Sequence, residues 1–370
     1  MAIWNKMLGE ETLYPHITPG RRILVISDIH ANLIYFKALL EKVGFCDNDV
    51  LIIDGDFLEK GGQCLDTLRF IMELVKAGNT YALAGNCDSW AEAIDMTDFS
   101  AAPKLLHYML YKRSGIFYEM FMDCGVELNE NTDIVAYIPL LRARYAEEWD
   151  FLRKIPVAMD TPHYTFVHGG IRPDIPMAQQ RCGDCMKLDD FRSQGWSFDK
   201  WVIVGHWPVT LYIEDHVCAY PIIDRDRKIV SIDGGCVLKD DGQLNALVIP
   251  YEGSEDFSCV WYDPFPTAHV RSGQKASERS YYIRWGDSAV EVLQKGGEFS
   301  RCRHIRTGYE MDILTKYLFT GEDGLIHTND CSDYFLPLNA GDEVSIIEKT
   351  SRGYYVKHNG TSGWYRGELE

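Results

Sequence analysis

Three apolar runs in the first quarter of the chain each break off at a polar cluster. Ile23-Leu24-Val25-Ile26 runs into Ser27-Asp28-Ile29-His30, Val50-Leu51-Ile52-Ile53 into Asp54-Gly55-Asp56, and Tyr81-Ala82-Leu83-Ala84 into Gly85-Asn86-Cys87-Asp88. Short continuous apolar runs predict strands buried on both faces. Between them, Asn32 to Val43 and Gln63 to Lys76 carry apolar residues at helical spacing, with Gly44 and Gly78 as stops. Strand–helix–strand–helix–strand order restricts this stretch to a mainly parallel sheet with covering helices. Polar residues at the carboxyl ends of such strands converge on one crevice.

Further along, the rhythm changes. Residues 101–155 read as helical, and Trp149 to Ile155 is amphipathic ahead of Pro156. Short strands follow at Tyr164-Thr165-Phe166-Val167, Trp201-Val202-Ile203-Val204, Lys228 to Ile232 and Ala246 to Ile249. The first two again end in polar residues, at His168-Gly169-Gly170 and Gly205-His206. A second sheet packed on the first predicts an α/β fold, a two-sheet sandwich flanked by helices with ligand loops along one edge. Residues 251–280 are rich in Ser, Gly, Pro and charge, and Tyr281 to His304 reads as extended pieces. The expected division is a domain over 1–250, a linker and connecting segment over 251–300, and a small all-β module over 301–370. In that module Asn359-Gly360 predicts a tight hairpin turn between Gly353-Tyr354-Tyr355-Val356-Lys357 and Ser362-Gly363-Trp364-Tyr365.

The 370 residues are 46% hydrophobic and 25% charged, ordinary for a globular chain with a sizeable core, and the formal net charge is -18. So acidic a chain repels a nucleic-acid backbone, and no nucleic-acid partner is expected. A phosphate group must be attracted locally, by metal charge. No secretory signal is expected, because Met1 to Lys6 shows no basic region followed by an apolar core, and no membrane partner, because no apolar run approaches the ~18 residues a span requires. Eleven scattered cysteines, an odd number, read as free thiols in a reducing cytoplasm. The lone C-x-x-C, Cys182-Gly183-Asp184-Cys185, reads as a pair of incidental thiols, since no second pair lies near in sequence to complete a zinc site.

Taken singly, an Asp after a strand is a turn cap and a His is a packed side chain; taken together the polar strand ends make a ligand set. Asp28 and His30 are two residues apart, point the same way on an extended segment, and would chelate one ion. Asp56 ends the next strand, where a carboxylate can bridge two ions. Asn86 offers a neutral oxygen, and His168 and His206 offer imidazole nitrogens. Oxygen and nitrogen ligands without thiolate favour two divalent ions of Mn, Fe or Zn. Two ions about 4 Å apart activate a bridging hydroxide and neutralise phosphate oxygens during in-line attack.

At these residues the chain resembles the calcineurin-like metallophosphoesterase superfamily, whose signature runs D-x-H, G-D-x-x-D/E, G-N-H-D/E, then H and G-H. The resemblance covers about Arg21 to Pro250. It is nearest to the phosphoprotein phosphatase (PPP) branch, which includes bacterial serine/threonine phosphatases and symmetrical diadenosine tetraphosphatases. The phrases that carry it are Gly55-Asp56-Phe57-Leu58-Glu59-Lys60-Gly61, Phe166-Val167-His168-Gly169-Gly170, Gly205-His206-Trp207-Pro208-Val209 and Ser231-Ile232-Asp233-Gly234-Gly235-Cys236. It implies the metallophosphoesterase fold, with Asp28, His30 and Asp56 holding one ion and Asp56, Asn86, His168 and His206 the other. It also implies catalytic roles for Asp56, Lys60 and Asp88, with Lys60 and Asn86 meeting the substrate. Residues from about Thr307 to Glu370 resemble a bacterial SH3-like module. Its aromatic residues Tyr354, Tyr355, Trp364 and Tyr365 either line a groove for a peptide partner or hold the barrel together.

Two positions depart from the branch. Cys87 stands where a histidine usually protonates the leaving alkoxide, and a thiol with an ordinary pKa of ~8.5 is a weak hydrogen-bonding substitute. A group of bacterial phosphodiesterases in the superfamily has Cys at this place. Lys60 replaces an arginine, keeping the charge and losing the two-pronged geometry; Arg142, Arg144 and Arg172 are candidates to restore the fork. The expected activity is a PPP-type serine/threonine, or phosphomonoester, phosphatase acting on a phosphorylated protein or small phosphoester. The alternatives are a phosphodiesterase or dinucleoside polyphosphate hydrolase and, in another class, a metal-binding scaffold acting through the SH3-like module.

Overall fold

The computed structural model describes residues 3–89, 100 and 102–370. The chain divides into two compact units. The first comprises residues 1–207, 221–238 and 243–262, and the second residues 208–220, 239–242 and 263–370. Position 101, at the head of the stretch expected to be helical, lies outside the described residues.

In the first unit the apolar runs form a five-stranded sheet in the order Ser258–Tyr262, Leu244–Ile249, Ile23–Ile26, Val50–Asp54, Thr80–Leu83. The last three strands are parallel, and Leu244–Ile249 runs antiparallel beside Ile23–Ile26. The helix Leu33–Val43 starts at Asn32, whose side chain accepts the Tyr35 N–H, and stops at Gly44 in the left-handed region (φ 64°). A second sheet has the order Thr12–Leu13, Ala158–Asp160, Tyr164–Val167, Trp201–Val204, Ile229–Ser231, Ile222–Asp224. Tyr164–Val167, Trp201–Val204 and Ile229–Ser231 are parallel to one another.

The unbroken apolar runs arise because both faces of these strands are covered. Ile23 and Val25 join one core with Val50, Ile52, Phe166, Ile203 and Val230, contributed by both sheets. Leu24, Ile26, Leu51 and Ile53 face the other way, into a core shared with helix residues such as Phe36, Leu39, Leu68 and Ile71. This is the expected sandwich: two sheets pack face to face, with helices outside. The stretch expected to be helical contains Ala102–Lys112, Ile116–Asp123, Ile138–Arg144 and Ala146–Lys154.

The second unit is all-β apart from short 3-10 turns. Its five-stranded sheet runs Thr267–His269, Glu343–Thr350, Gly353–His358, Thr361–Tyr365, Val217–Cys218. A three-stranded sheet joins Val290–Gln294, Phe299–His304 and Glu310–Leu314. Asn359 (φ 48°) and Gly360 (φ 77°) make the left-handed turn that a two-residue hairpin requires, and His358 pairs with Thr361 across it. The polar stretch 251–300 carries strands of its own, among them Ser258–Tyr262 and Val290–Gln294. The Ser, Gly, Pro and charged residues between these short strands gave the segment the composition of a linker. Among the described residues no helix is long and apolar enough to cross a membrane.

Candidate metal centre

All the polar strand ends singled out above come together in the first unit. Two sets of ligand atoms form, each with its atoms within 4.8 Å of one another: His30, Asp56 and Cys87, and Asp56, His168 and His206. Asp56 belongs to both, as expected for a bridging carboxylate. Asp28 lies beside the first set, its Oδ1 3.8 Å from His30 Nε2, and its Oδ2 accepts the His206 N–H at 3.0 Å. Asp28, His30, Asp56 and His168 are buried, whereas Asn86, Cys87 and His206 are half-buried. The inner candidate ligands are therefore shielded, and the outer ones are partly open to solvent.

The backbone geometry is unusual for side-chain-bearing residues. Asp28 (φ 56°), His30 (φ 48°), Asp56 (φ 50°) and His206 (φ 64°) all adopt left-handed conformations. Such conformations cost of order 1–3 kcal/mol each and persist only where the surroundings impose them. Here the first two strand-end turns are zipped together: Asp28 N–H donates to Gly55 O at 3.0 Å and His30 N–H to Asp56 O at 2.9 Å. Gly85 completes the packing. A methyl group there would run into Asp56 Oδ1 and the Asp56 backbone nitrogen.

Hydrogen bonds set which imidazole nitrogen faces inward. His168 Nδ1 lies 2.8 Å from Asp54 O and His30 Nδ1 3.3 Å from Leu58 O. A carbonyl only accepts, so each Nδ1 carries a proton and each Nε2 faces the centre, where its lone pair is available to a metal ion once that nitrogen gives up any proton. His168 Nε2 sits 3.3 Å from Asp56 Oδ1. His206 is arranged the other way round, with Nε2 2.7 Å from Asp189 Oδ1, which leaves Nδ1 for the centre.

A test of fit is whether buried donor atoms lack protein partners. Asp28 Oδ1, Asn86 Oδ1 and His168 Nε2 are buried without a hydrogen bond. Leaving such groups unsatisfied is costly, and two divalent cations would satisfy all three between them, so the residues fit a metal pair. Burial pushes His30 down to about 4, which keeps it neutral as a ligand must be. Burial also presses Asp56 upward, but the neighbouring His168 and His30 outweigh it and hold the carboxyl well below its usual range. Burial and the nearby Asp233 raise Asp28, a crowding of negative charge that bound cations would relieve.

The remaining predicted residues are placed as follows. Asp88 is fully buried, and its oxygens accept the backbone N–H groups of Asp56 (2.7 Å), Gly85 (2.9 Å) and Leu58 (3.0 Å). It braces the turns that carry the ligands. Lys60 is exposed, in a left-handed turn (φ 69°), and its charge reaches His30 and Cys87. Cys87 donates its backbone N–H to Asp56 Oδ1 at 2.7 Å, and Asn86 Nδ2 lies 3.3 Å from its Sγ. Burial pushes the Cys87 thiol well above its ordinary value. Of the candidate fork arginines, Arg144 is paired with Asp123 and Arg172 with Asp174. Cys182 and Cys185 are buried, with thiols pushed up to about 12 by burial, so they behave as packing residues.

Three contributors escaped the sequence reading. Asp189 orients His206, Asp54 supplies the carbonyl that orients His168, and Asp233 places its charge near Asp28. Asp233 had a signal in Ser231-Ile232-Asp233-Gly234-Gly235, a phrase to which no role could be assigned. Asp189 had none, since nothing local marks a surface aspartate that meets a histidine across the fold.

Residues 21–231 match the family model described as calcineurin-like phosphoesterase. No curated protein matches the sequence. Among solved structures, a candidate diadenosine tetraphosphatase is 17% identical with a TM-score of 0.44, covering 69% of this chain and 99% of its own. A protein serine/threonine phosphatase from Saccharomyces cerevisiae is 10% identical with a TM-score of 0.42, covering 71% and 86%. A metallophosphoesterase from Sphaerobacter thermophilus is 18% identical with a TM-score of 0.36, covering 66% and 89%.

Proposed function

The chain belongs to the calcineurin-like phosphoesterase family, and from that premise we propose that it is a dinuclear-metal phosphatase of PPP type, acting on phosphomonoesters such as phosphoserine or phosphothreonine. The observation that carries this reading is the sharing of Asp56 between two ligand sets. Asp28, His30 and Asp56 would hold one ion, and Asp56, Asn86, His168 and His206 the other. The chemistry of the site favours Mn, Fe or Zn. Two bound ions supply Lewis acidity to the phosphate oxygens and make a water molecule a competent nucleophile at neutral pH.

The protein's own groups do the rest. Lys60 offers its ammonium to the substrate phosphate from the rim, and the Asn86 amide completes the wall beside it. Asp88 is a positioning residue: it holds the backbone of Asp56 and Gly85, so its effect on turnover passes through the ligands. Cys87 occupies the place of a leaving-group acid with a thiol that burial keeps protonated but weakly donating. This one feature favours a second reading, in which diesters, aryl esters or dinucleoside polyphosphates, whose leaving groups need little protonation, are the better substrates. All eleven cysteines are free, which supports a reducing, cytoplasmic setting. The 301–370 module is read as SH3-like, its aromatic residues either lining a groove for a peptide partner or holding the barrel together.

The test is a paired assay with Mn: a phosphoserine peptide, a bis-aryl phosphodiester and a dinucleoside tetraphosphate. The phosphatase reading expects the peptide to be turned over with the highest kcat/KM. A diester or tetraphosphate preferred by a factor of a hundred or more would replace it with the second reading.

A further inference from the structure

The second unit contains a cavity of about 490 Å³ that none of the metal-centre chemistry uses. Four arginines line it, Arg279, Arg301, Arg352 and Arg366, together with the aromatic rings of Phe299, Phe335 and Trp364. In a chain of formal net charge -18, four guanidiniums around one cavity need an explanation. Two of them have acidic partners: Arg352 donates to Asp312 at 2.7 Å, and Arg301 lies 3.6 Å from the same carboxylate and 3.4 Å from Glu310. Arg279 and Arg366 have no carboxylate within ion-pair distance among the described residues. Both are exposed, Arg366 stacked 4.3 Å from the Phe335 ring centre and Arg279 5.0 Å from that of Tyr309.

Stacking on a ring occupies the face of a guanidinium and leaves its in-plane N–H edge free. That edge is the fork that matches a phosphate. The ring beneath also fixes the arginine in place, so less side-chain entropy is lost when an anion arrives. Three carboxylates, Asp312, Asp333 and Glu278, also line the cavity. Asp312 is already shared by two arginines, and Asp333 accepts the Tyr281 N–H at 3.0 Å and the Tyr309 hydroxyl at 2.9 Å. Asp333, and Glu278 at the exposed rim, have no basic group within ion-pair distance among the described residues, whereas Arg279 and Arg366 keep their N–H edges unpaired. Apart from Ser277, whose hydroxyl oxygen accepts the Phe335 N–H, the rest of the lining is apolar or aromatic. Trp364 is half-buried, anchored by Nε1–H donating to Ser332 O at 2.8 Å, with Met311 buried behind it. Its volume falls in the ~300–1,000 Å³ range of small-molecule sites.

We propose that this cavity is a binding site for a small planar aromatic phosphate of the size of a nucleoside monophosphate. The phosphate is held by Arg279 and Arg366 and the aromatic group by Trp364 and the neighbouring phenyl rings. The site lies wholly within the second unit, and its occupancy does not depend on which phosphoester the metal centre hydrolyses.

The test uses the full-length, Mn-loaded chain and titration calorimetry with a non-hydrolysable phosphonate analogue of AMP. Parallel titrations use adenosine, inorganic phosphate and an acidic phosphopeptide. Wild type is compared with Arg279→Ala/Arg366→Ala, with the charge-keeping Arg279→Lys/Arg366→Lys in case the alanine pair misfolds, and with Asp56→Asn, which disables the metal centre. The expected result is analogue binding that persists in Asp56→Asn and weakens at least tenfold in the alanine pair and measurably in the lysine pair. Adenosine and phosphate alone should bind at least tenfold more weakly. Binding lost in Asp56→Asn, binding indifferent to both arginine pairs, no binding at millimolar analogue, or tighter binding of adenosine, phosphate or the phosphopeptide would each overturn the proposal.

Discussion

The backbone N–H of Asp56 donates to Oδ2 of Asp88 at 2.7 Å, while Oδ1 of Asp56 accepts the N–H of Cys87 at 2.7 Å. The carboxylate shared by the two ligand sets is thus held by the same short turn that carries Asn86 and Cys87. Replacing Asp88 with Asn puts an amide NH₂ where one of its oxygens now accepts an N–H. We expect Asp88→Asn to lower metal affinity roughly 10- to 100-fold, as removal of outer-shell supports does elsewhere. Titration with Mn would measure it, and an unchanged affinity would remove Asp88 from the support of the centre.

Metal content is the most direct check on the shared carboxylate. The chain should carry two ions after loading with Mn, and His206→Ala should carry one, because His206 contributes to only one of the two sets. Elemental analysis decides it. Chelation should abolish turnover and added Mn should restore it.

Gly85 is required for space. Gly85→Ala would force its methyl into Asp56, displacing the bridging carboxylate. We expect a loss of ~1–3 kcal/mol of stability, typical of overpacking, together with loss of the second ion. Native-like denaturation and full metal content in Gly85→Ala would contradict this placement.

Glu59 provides a pH signature. It is buried, accepts the Ile116 N–H at 2.8 Å and the Tyr108 hydroxyl at 3.2 Å, and burial pushes its carboxyl up to about 7. A carboxyl raised in the folded state favours the protonated fold. Its contribution is therefore fully present below the unfolded value of ~4.3 and is lost as pH rises through 7. Glu59→Gln keeps an acceptor for Ile116 without the charge. The variant should gain on wild type between pH 5 and pH 8, by on the order of 2–3 kcal/mol. Denaturant unfolding at the two pH values measures it, and a difference that does not grow with pH would refute the assignment.

Cys87→His tests the missing acid. If leaving-group protonation limits turnover, the variant should raise kcat for an alkyl phosphomonoester roughly 10- to 100-fold and change an aryl ester far less. Equal effects on both substrates would assign Cys87 to packing alone.

Much of the catalytic unit was legible because its signals are local. Four consecutive apolar residues at 23–26 can hardly be anything but a doubly covered strand, and Asn32 and Gly44 bracket a helix by capping chemistry alone. The Asn359-Gly360 turn is legible for the same reason. Less visible was the recruitment of 208–220 and 239–242 into the second unit, where Val217–Cys218 becomes its edge strand. Two residues cannot announce a strand by periodicity. The aromatic residues of the module divided in a way no pattern foretold. Tyr365 is buried in the core with its hydroxyl donating to Ser272 O, and among the four only Trp364 lines the cavity.

The chain's sequence by itself determined where strands end and which candidate metal ligands stand there: Asp28, His30, Asp56, Asn86, His168 and His206. Those are matters of hydrophobic run length and of residues placed just beyond it. Only the tertiary structure decided which atoms of those residues meet. It made Asp56 common to two ligand sets, turned Asp88 inward onto three backbone N–H groups, and set Asp189 against His206. Such pairings join residues from separate strands, and their geometry comes from crossover connections and left-handed turns that close only once both sheets are packed.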